Sequence, residues 1–160
     1  MAEVFKAPAK YPKRKFTIFL AGSIDMGEAQ DWQSKVANDL NDLDVVFLNP
    51  RRDDWDSSWT QSIKNKQFKE QVTWELKGQE DADLVVFYFA DGSKSPITLL
   101  ELGLAVGADK SGIVFCTDKF YRKGNVDVVA DYYGYPVADD YEDFISAIRD
   151  AIEVIGGPVS

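Results

Sequence analysis

Apolar residues fall into short blocks separated by longer stretches of mixed polarity. Residues 15–20, 44–48, Leu84–Phe89 and Gly112–Cys116 are runs rich in Val, Ile and Phe, and runs of that length read as strands. The run Leu-Val-Val-Phe-Tyr-Phe at 84–89 has no polar alternation. That pattern fits a strand covered on both faces, as in a parallel sheet. Between the runs the spacing changes to that of a helix. Trp32, Val36 and Leu40 mark a helix over 28–40, and Phe68, Val72 and Leu76 mark a more polar one over 64–79. Residues 98–108 and Tyr141–Ile155 read as two further helices, and 126–129 as a short additional strand. Gly22 and Asn49-Pro50 punctuate the ends of the first two strands, and 91–96 reads as a loop.

Strands alternating with helices at these lengths predict a single doubly wound α/β domain, Rossmann-like or flavodoxin-like, with a parallel sheet of about five strands. The domain is expected over 15–157, behind a basic arm at 1–14. In such folds a ligand lies beyond the carboxyl ends of the strands. The search for chemistry therefore narrows to 21–25, 49–59, 90–95 and 117–125 and the helix starts that follow.

Composition narrows the chemistry further. The 160 residues hold 27 acidic and 18 basic side chains, one cysteine and no histidine. Without imidazole there is no Ser–His–Asp triad, no Cys–His nucleophile pair and no His-containing zinc site. Acid–base work near neutrality falls to carboxylates, Lys, Tyr or water. No metal or cofactor is expected. A net charge of −9 argues against nonspecific nucleic-acid binding. No apolar run approaches the ~20 residues that span a bilayer, so no membrane partner is expected. A lone cysteine fits a cytoplasmic location. Lys6, Lys10, Lys13, Arg14 and Lys15 make the N-terminal end basic, while the last thirty or so residues are strongly acidic. Both read as solvated surfaces, or the arm touches a neighbouring subunit.

Each candidate residue carries two readings. Glu101 stands among apolar neighbours in Ser95-Pro-Ile-Thr-Leu-Leu-Glu101-Leu-Gly. A carboxylate there is costly unless bonded, or keeps a raised pKa. Alternatively, Thr98-x-x-Glu101 is a capping box, and Ser95-Pro96 a helix start. Glu75 reads by itself as an exposed helix carboxylate, and Asp81 and Asp83 as caps before the third strand. In the loop at 49–59, Trp55 or Trp59 stacks on a planar ligand whose edge Arg51 or Asp56 reads, or both rings fold back onto the domain. Gly22-Ser23 offers backbone N–H groups and a hydroxyl to an anion or a sugar. Cys116 reads as a core thiol.

Three motifs occur in order: Phe19-Leu-Ala-Gly-Ser-Ile24, Ala82-Asp83-Leu-Val-Val and Ser95-x5-Glu101-Leu-Gly103. Together, over about 16–125, they resemble the nucleoside 2-deoxyribosyltransferase family and its nucleotide-hydrolysing relatives. The Asn49-Pro-Arg-Arg-x-x-Trp-Asp56 loop resembles one branch of that superfamily. The resemblance implies Glu101 as nucleophile, Glu75 as the acid beside the leaving base, and Ser95 as a sugar or 5′-group ligand. It places Asn125 where a neighbouring subunit contributes to the sugar site, and so implies a homo-oligomer with shared active sites. Phe19 and Glu75 depart from the family, which often has Tyr and usually Asp at these places. The implied activity is base exchange on a 2′-deoxynucleoside. Hydrolysis of a nucleoside or its 5′-monophosphate, and a non-catalytic nucleotide-binding module, are the alternatives.

Overall fold

A computed structural model describes residues 1–23 and 31–159. Six parallel strands form one sheet: β1 (Glu3–Lys6), β2 (Thr17–Gly22), β3 (Val46–Asn49), β4 (Leu84–Phe89), β5 (Gly112–Cys116) and β6 (Val137–Ala138). Their order across the sheet is β1-β3-β2-β4-β5-β6. The last five follow the flavodoxin-like order, and β1 adds an edge beyond β3. The expected class and strand direction hold, with six strands where about five were expected.

The strands are legible because the middle of the sheet is buried on both faces. Leu84, Val85, Val86, Phe87 and Phe89 are all fully buried. Two apolar layers flank the sheet. One packs α1 (Trp32–Asp39) and α5 (Tyr141–Ile155) through Trp32, Val36, Phe144, Ile148 and Ile152. The other packs α3 (Pro96–Gly107) and α4 (Lys123–Tyr133) through Leu102, Ala105, Val126 and Ala130, with Trp74 of α2 (Lys66–Asp81) against it. Side-chain oxygens close three helix N-termini: Asp31 on α1, Asn65 on α2 and Asp140 on α5. Asp83 accepts from the Thr17 N–H at 2.8 Å and Asp81 from the Tyr11 hydroxyl at 2.8 Å, so both serve structure just before β4.

Three expectations are corrected. Residues 126–129 are helical, inside α4. Val126 and Ala130 lie four apart and both reach the core, which is helical and not strand spacing. The N-terminal end is not wholly a solvated arm, because Glu3–Lys6 pairs with Val46–Asn49. Two of its cations are matched locally, Lys6 with Asp53 at 3.0 Å and Lys15 with Glu3 at 2.7 Å. The apolar spacing on α2 does not mark its inward face. Val72 and Leu76 are exposed, whereas Gln71, Gly78 and Gln79 are buried. The expected helix at 28–40 is seen from Trp32 onward, and 28–30 lie outside the described residues.

Candidate active site

In this strand order the crevice opens between β2 and β4, whose chain connections leave in opposite directions. Gly22 ends β2 there. A Cβ on it would stand 2.5 Å from the Trp32 ring and 2.6 Å from the Tyr88 carbonyl oxygen, so only glycine fits. Trp32 stacks on Tyr88 with centroids 4.8 Å apart and donates to the Ser23 carbonyl at 3.3 Å. These contacts fix where the chain leaves the strand.

Ser23 then meets two hydroxyls from the β4–α3 loop. Its Oγ is 3.1 Å from Ser93 Oγ and hydrogen-bonds Ser95 Oγ, and Ser93 lies 2.8 Å from Ser95. The Ala90 N–H donates to Ser23 Oγ at 3.1 Å. All three serines are buried. Ser95 is the N-cap of α3 with φ +45°, a left-handed conformation that costs a non-glycine residue of order 1 kcal/mol. Such strain persists where surrounding contacts hold it, and here the hydroxyl cluster does so. Three rotatable hydroxyls therefore stand at the N-terminus of α3, where an anionic or hydroxyl-bearing group is favoured.

Pro96 occupies the first turn of α3, so Thr98 lies inside the helix and is no N-cap. The capping-box reading of Glu101 is thereby overturned. Six residues beyond Ser95, Glu101 sits about 9 Å further along the helix axis. It is 7% exposed and accepts a hydrogen bond from the Gln79 side-chain amide of α2. Glu75 lies one turn before Gln79 on the same face, half-buried rather than exposed as its sequence context indicated. Burial pushes both carboxyls above the usual carboxylate range. The Glu101 charge raises Glu75 further, while donation from Gln79 draws Glu101 back. Two acids whose surroundings treat them differently are what acid-plus-nucleophile chemistry requires.

Gln79 was not legible as a site residue from the apolar pattern. The signal lay in the polar residues instead: Gln71, Glu75 and Gln79 recur every four positions and share one face of α2. Gly78 brings that face close, because a Cβ there would lie 2.9 Å from the Phe19 ring.

Arg51 follows β3, donates to Gln33 at 2.8 Å and lies 3.3 Å from Asp31. Trp55 and Trp59 pack edge to face with centroids 4.9 Å apart, and the Arg52 guanidinium lies over Trp59. Each ring thus has a protein partner, and Trp55 is still 37% exposed. Asp56 accepts from the Ser58 N–H and hydroxyl, which fixes the loop and holds its carboxyl below the ordinary value. Asn125 is exposed in the first turn of α4. Cys116 is buried, and burial pushes its thiol up to about 11, which suits a core residue.

The family model for nucleoside 2-deoxyribosyltransferase-like proteins matches residues 15–120. The chain belongs to that family. The match takes in Gly22, Ser23, Glu75, Ser95 and Glu101 and stops short of Asn125. No curated protein matches the chain. Among solved structures it is similar to a conserved protein from Enterococcus faecalis V583, at 14% identity and a TM-score of 0.59. That similarity covers 85% of this chain and 98% of the other, and shows a shared fold. The family is one of glycosyl-transferring enzymes acting on nucleosides. No helix among the described residues is long and apolar enough to cross a membrane.

Proposed function

We propose that the protein cleaves the N-glycosidic bond of a 2′-deoxynucleoside and passes the deoxyribosyl group to a second nucleobase. The observation that carries this reading is the pair Glu75 and Glu101, brought within electrostatic reach of each other by α2 and α3, with the Gln79 amide donated to Glu101. A Glu101 carboxylate oxygen forms a bond to the anomeric carbon as the carbon–nitrogen bond breaks. The electron pair goes to the base nitrogen, which takes the Glu75 proton. An incoming base then attacks the anomeric carbon, Glu101 departs as carboxylate, and the incoming base returns a proton to Glu75. This is the retaining double displacement of glycosidases, with a base in place of water.

Ser23, Ser93 and Ser95 are suited to the sugar's 5′ end. Their place at the α3 N-terminus also supports a second reading, an N-glycosidase acting on a nucleoside 5′-monophosphate. Val72 and Leu76 on α2, with Ile97, Leu100 and Leu104 on α3, are exposed apolar side chains beside the pair. They favour a homo-oligomer in which Asn125 of one copy serves the site of another.

The test is to incubate a 2′-deoxynucleoside with a second free base and follow both by chromatography. A new nucleoside is expected. Free base and sugar alone would assign hydrolysis, and a ribonucleoside cleaved equally well would contradict the deoxy assignment. Comparing the nucleoside with its 5′-phosphate separates the two readings. Glu101→Ala should lose turnover and keep ligand binding. A wild type that binds without turnover would assign a nucleotide-binding module.

A further inference from the structure

We propose that Gln79 is a positioning residue for Glu101: its side-chain amide, delivered from α2, fixes the attacking carboxylate and keeps the shared proton on Glu75. The inference rests on the reading of Glu101 as nucleophile. Gln79 is 6% exposed and donates to Oε2 of Glu101. Among the described residues no other side chain donates to Glu101. A buried amide left without a partner is costly, so the bond also ties the Gln79 rotamer to the carboxylate.

The placement separates two roles along one helix. Gln79 and Glu75 are four residues apart on one face of α2, so the amide that bonds Glu101 stands one turn from Glu75, on which the Glu101 charge also acts. Two carboxyls brought together out of water share protons and titrate as a pair. An N–H donor favours the charged form of whichever carboxyl receives it. Glu101 receives it, so the pair's negative charge rests on the nucleophile and its proton on the acid. The amide does not titrate, and it sets this bias at every pH. A cation in the same place would quench the nucleophile by pairing with it, whereas a neutral donor orients it and leaves it reactive.

Nearby packing delivers the amide. Phe19 of β2 offers a ring and no donor, and its ring tilts against Trp74 at 6.2 Å. Gly78 lets α2 settle onto that ring, and the next residue is Gln79. The donor thus comes from the helix where the strand supplies none.

The test compares wild type with Gln79→Met, which keeps the side chain's approximate volume and lacks the donor. In the ligand-free full chain, glutamate carboxyl titrations followed by carbon NMR should show the Glu101 midpoint moving upward in Gln79→Met. In turnover, kcat should fall by about 10- to 100-fold with KM little changed, the size of a lost bond to a charged group. The acid limb of the pH profile should move up with the Glu101 midpoint. Gln79→Glu should recover turnover as pH falls, because its carboxyl donates only when protonated. An unmoved Glu101 midpoint in folded Gln79→Met would overturn the proposal. Were that variant unfolded, the wild-type order decides: Glu101 titrating below Glu75 supports it, and the reverse order overturns it. The ligand-free titration reads the positioning even if nucleosides prove not to be substrates, so the two failures are distinguishable.

Discussion

Gly78→Ala tests how the fold delivers the site. Glycine inside a helix is normally unfavourable, and alanine there gains about 1 kcal/mol. At position 78 the added Cβ would lie 2.9 and 3.0 Å from two Phe19 ring carbons and 3.3 Å from Leu48 Cδ1. Carbon contacts relax near 3.5–4.0 Å, so ring or helix must yield by about half an ångström. Phe19 and Leu48 are both fully buried and have no solvent to move into. Overpacking of this kind costs roughly 1–3 kcal/mol. The expected outcome in urea unfolding is a net loss of about 1 kcal/mol in place of the usual gain. Because Gln79 is the next residue and Glu75 lies within a turn, the same shift should reduce turnover about tenfold or more. Phe19→Leu in the same chain makes room, so the double variant should be more stable than the sum of the singles. A Gly78→Ala protein that gains the full helix-propensity increment with unchanged activity would refute the close packing of α2 on β2.

Three further outcomes follow from the same geometry. Glu75→Gln should lower kcat by about 10²- to 10⁴-fold, the range for a general acid, and yet stabilise the fold at neutral pH. A carboxyl whose folded pKa is raised binds more protons folded than unfolded, so its penalty begins near the ordinary carboxylate value and grows as pH rises to the folded midpoint. The gain in melting temperature should therefore be present at pH 8 and vanish below about pH 4, where both states are protonated. Ser95→Ala loses the hydroxyl contacts and keeps the left-handed backbone, so chemical unfolding should place it about 1 kcal/mol below Ser95→Gly; equal stabilities would dismiss the strain. Trp55→Ala should raise the nucleoside KM with kcat unchanged if its exposed edge meets the base, and an unchanged KM would leave that ring to the loop alone.

Where the chain is buried on both sides, sequence and structure agree closely. β4 and β5 have the expected limits because continuous apolar runs have little other use in a chain of this size. β1 escaped notice because an edge strand pairs on one side only. Its Glu-Val-Phe-Lys is half exposed and sits in a lysine-rich stretch. Val126, Val128 and Val129 carry β-branched side chains, but helical burial of Val126 and Ala130 overrides that preference. On α2 the usual rule inverts. The side that faces inward is polar and carries Gln71 and Gln79, and Val72 and Leu76 are left at the surface. Local rules fail most often at functional positions, and here the failure coincides with Glu75 and Gln79. Of the two readings of Glu101, the capping box fails because α3 starts at Pro96 and leaves Thr98 inside the helix.

The proposed function turns on attack of Glu101 at the anomeric carbon. Acid quenching during turnover of a 2′-deoxynucleoside, followed by peptide mass analysis, tests it most directly. A deoxyribosyl adduct is expected on the peptide containing Glu101, at that residue and lost in Glu101→Gln. Base exchange that proceeds with this peptide unmodified, or with the sugar on Glu75, would contradict it.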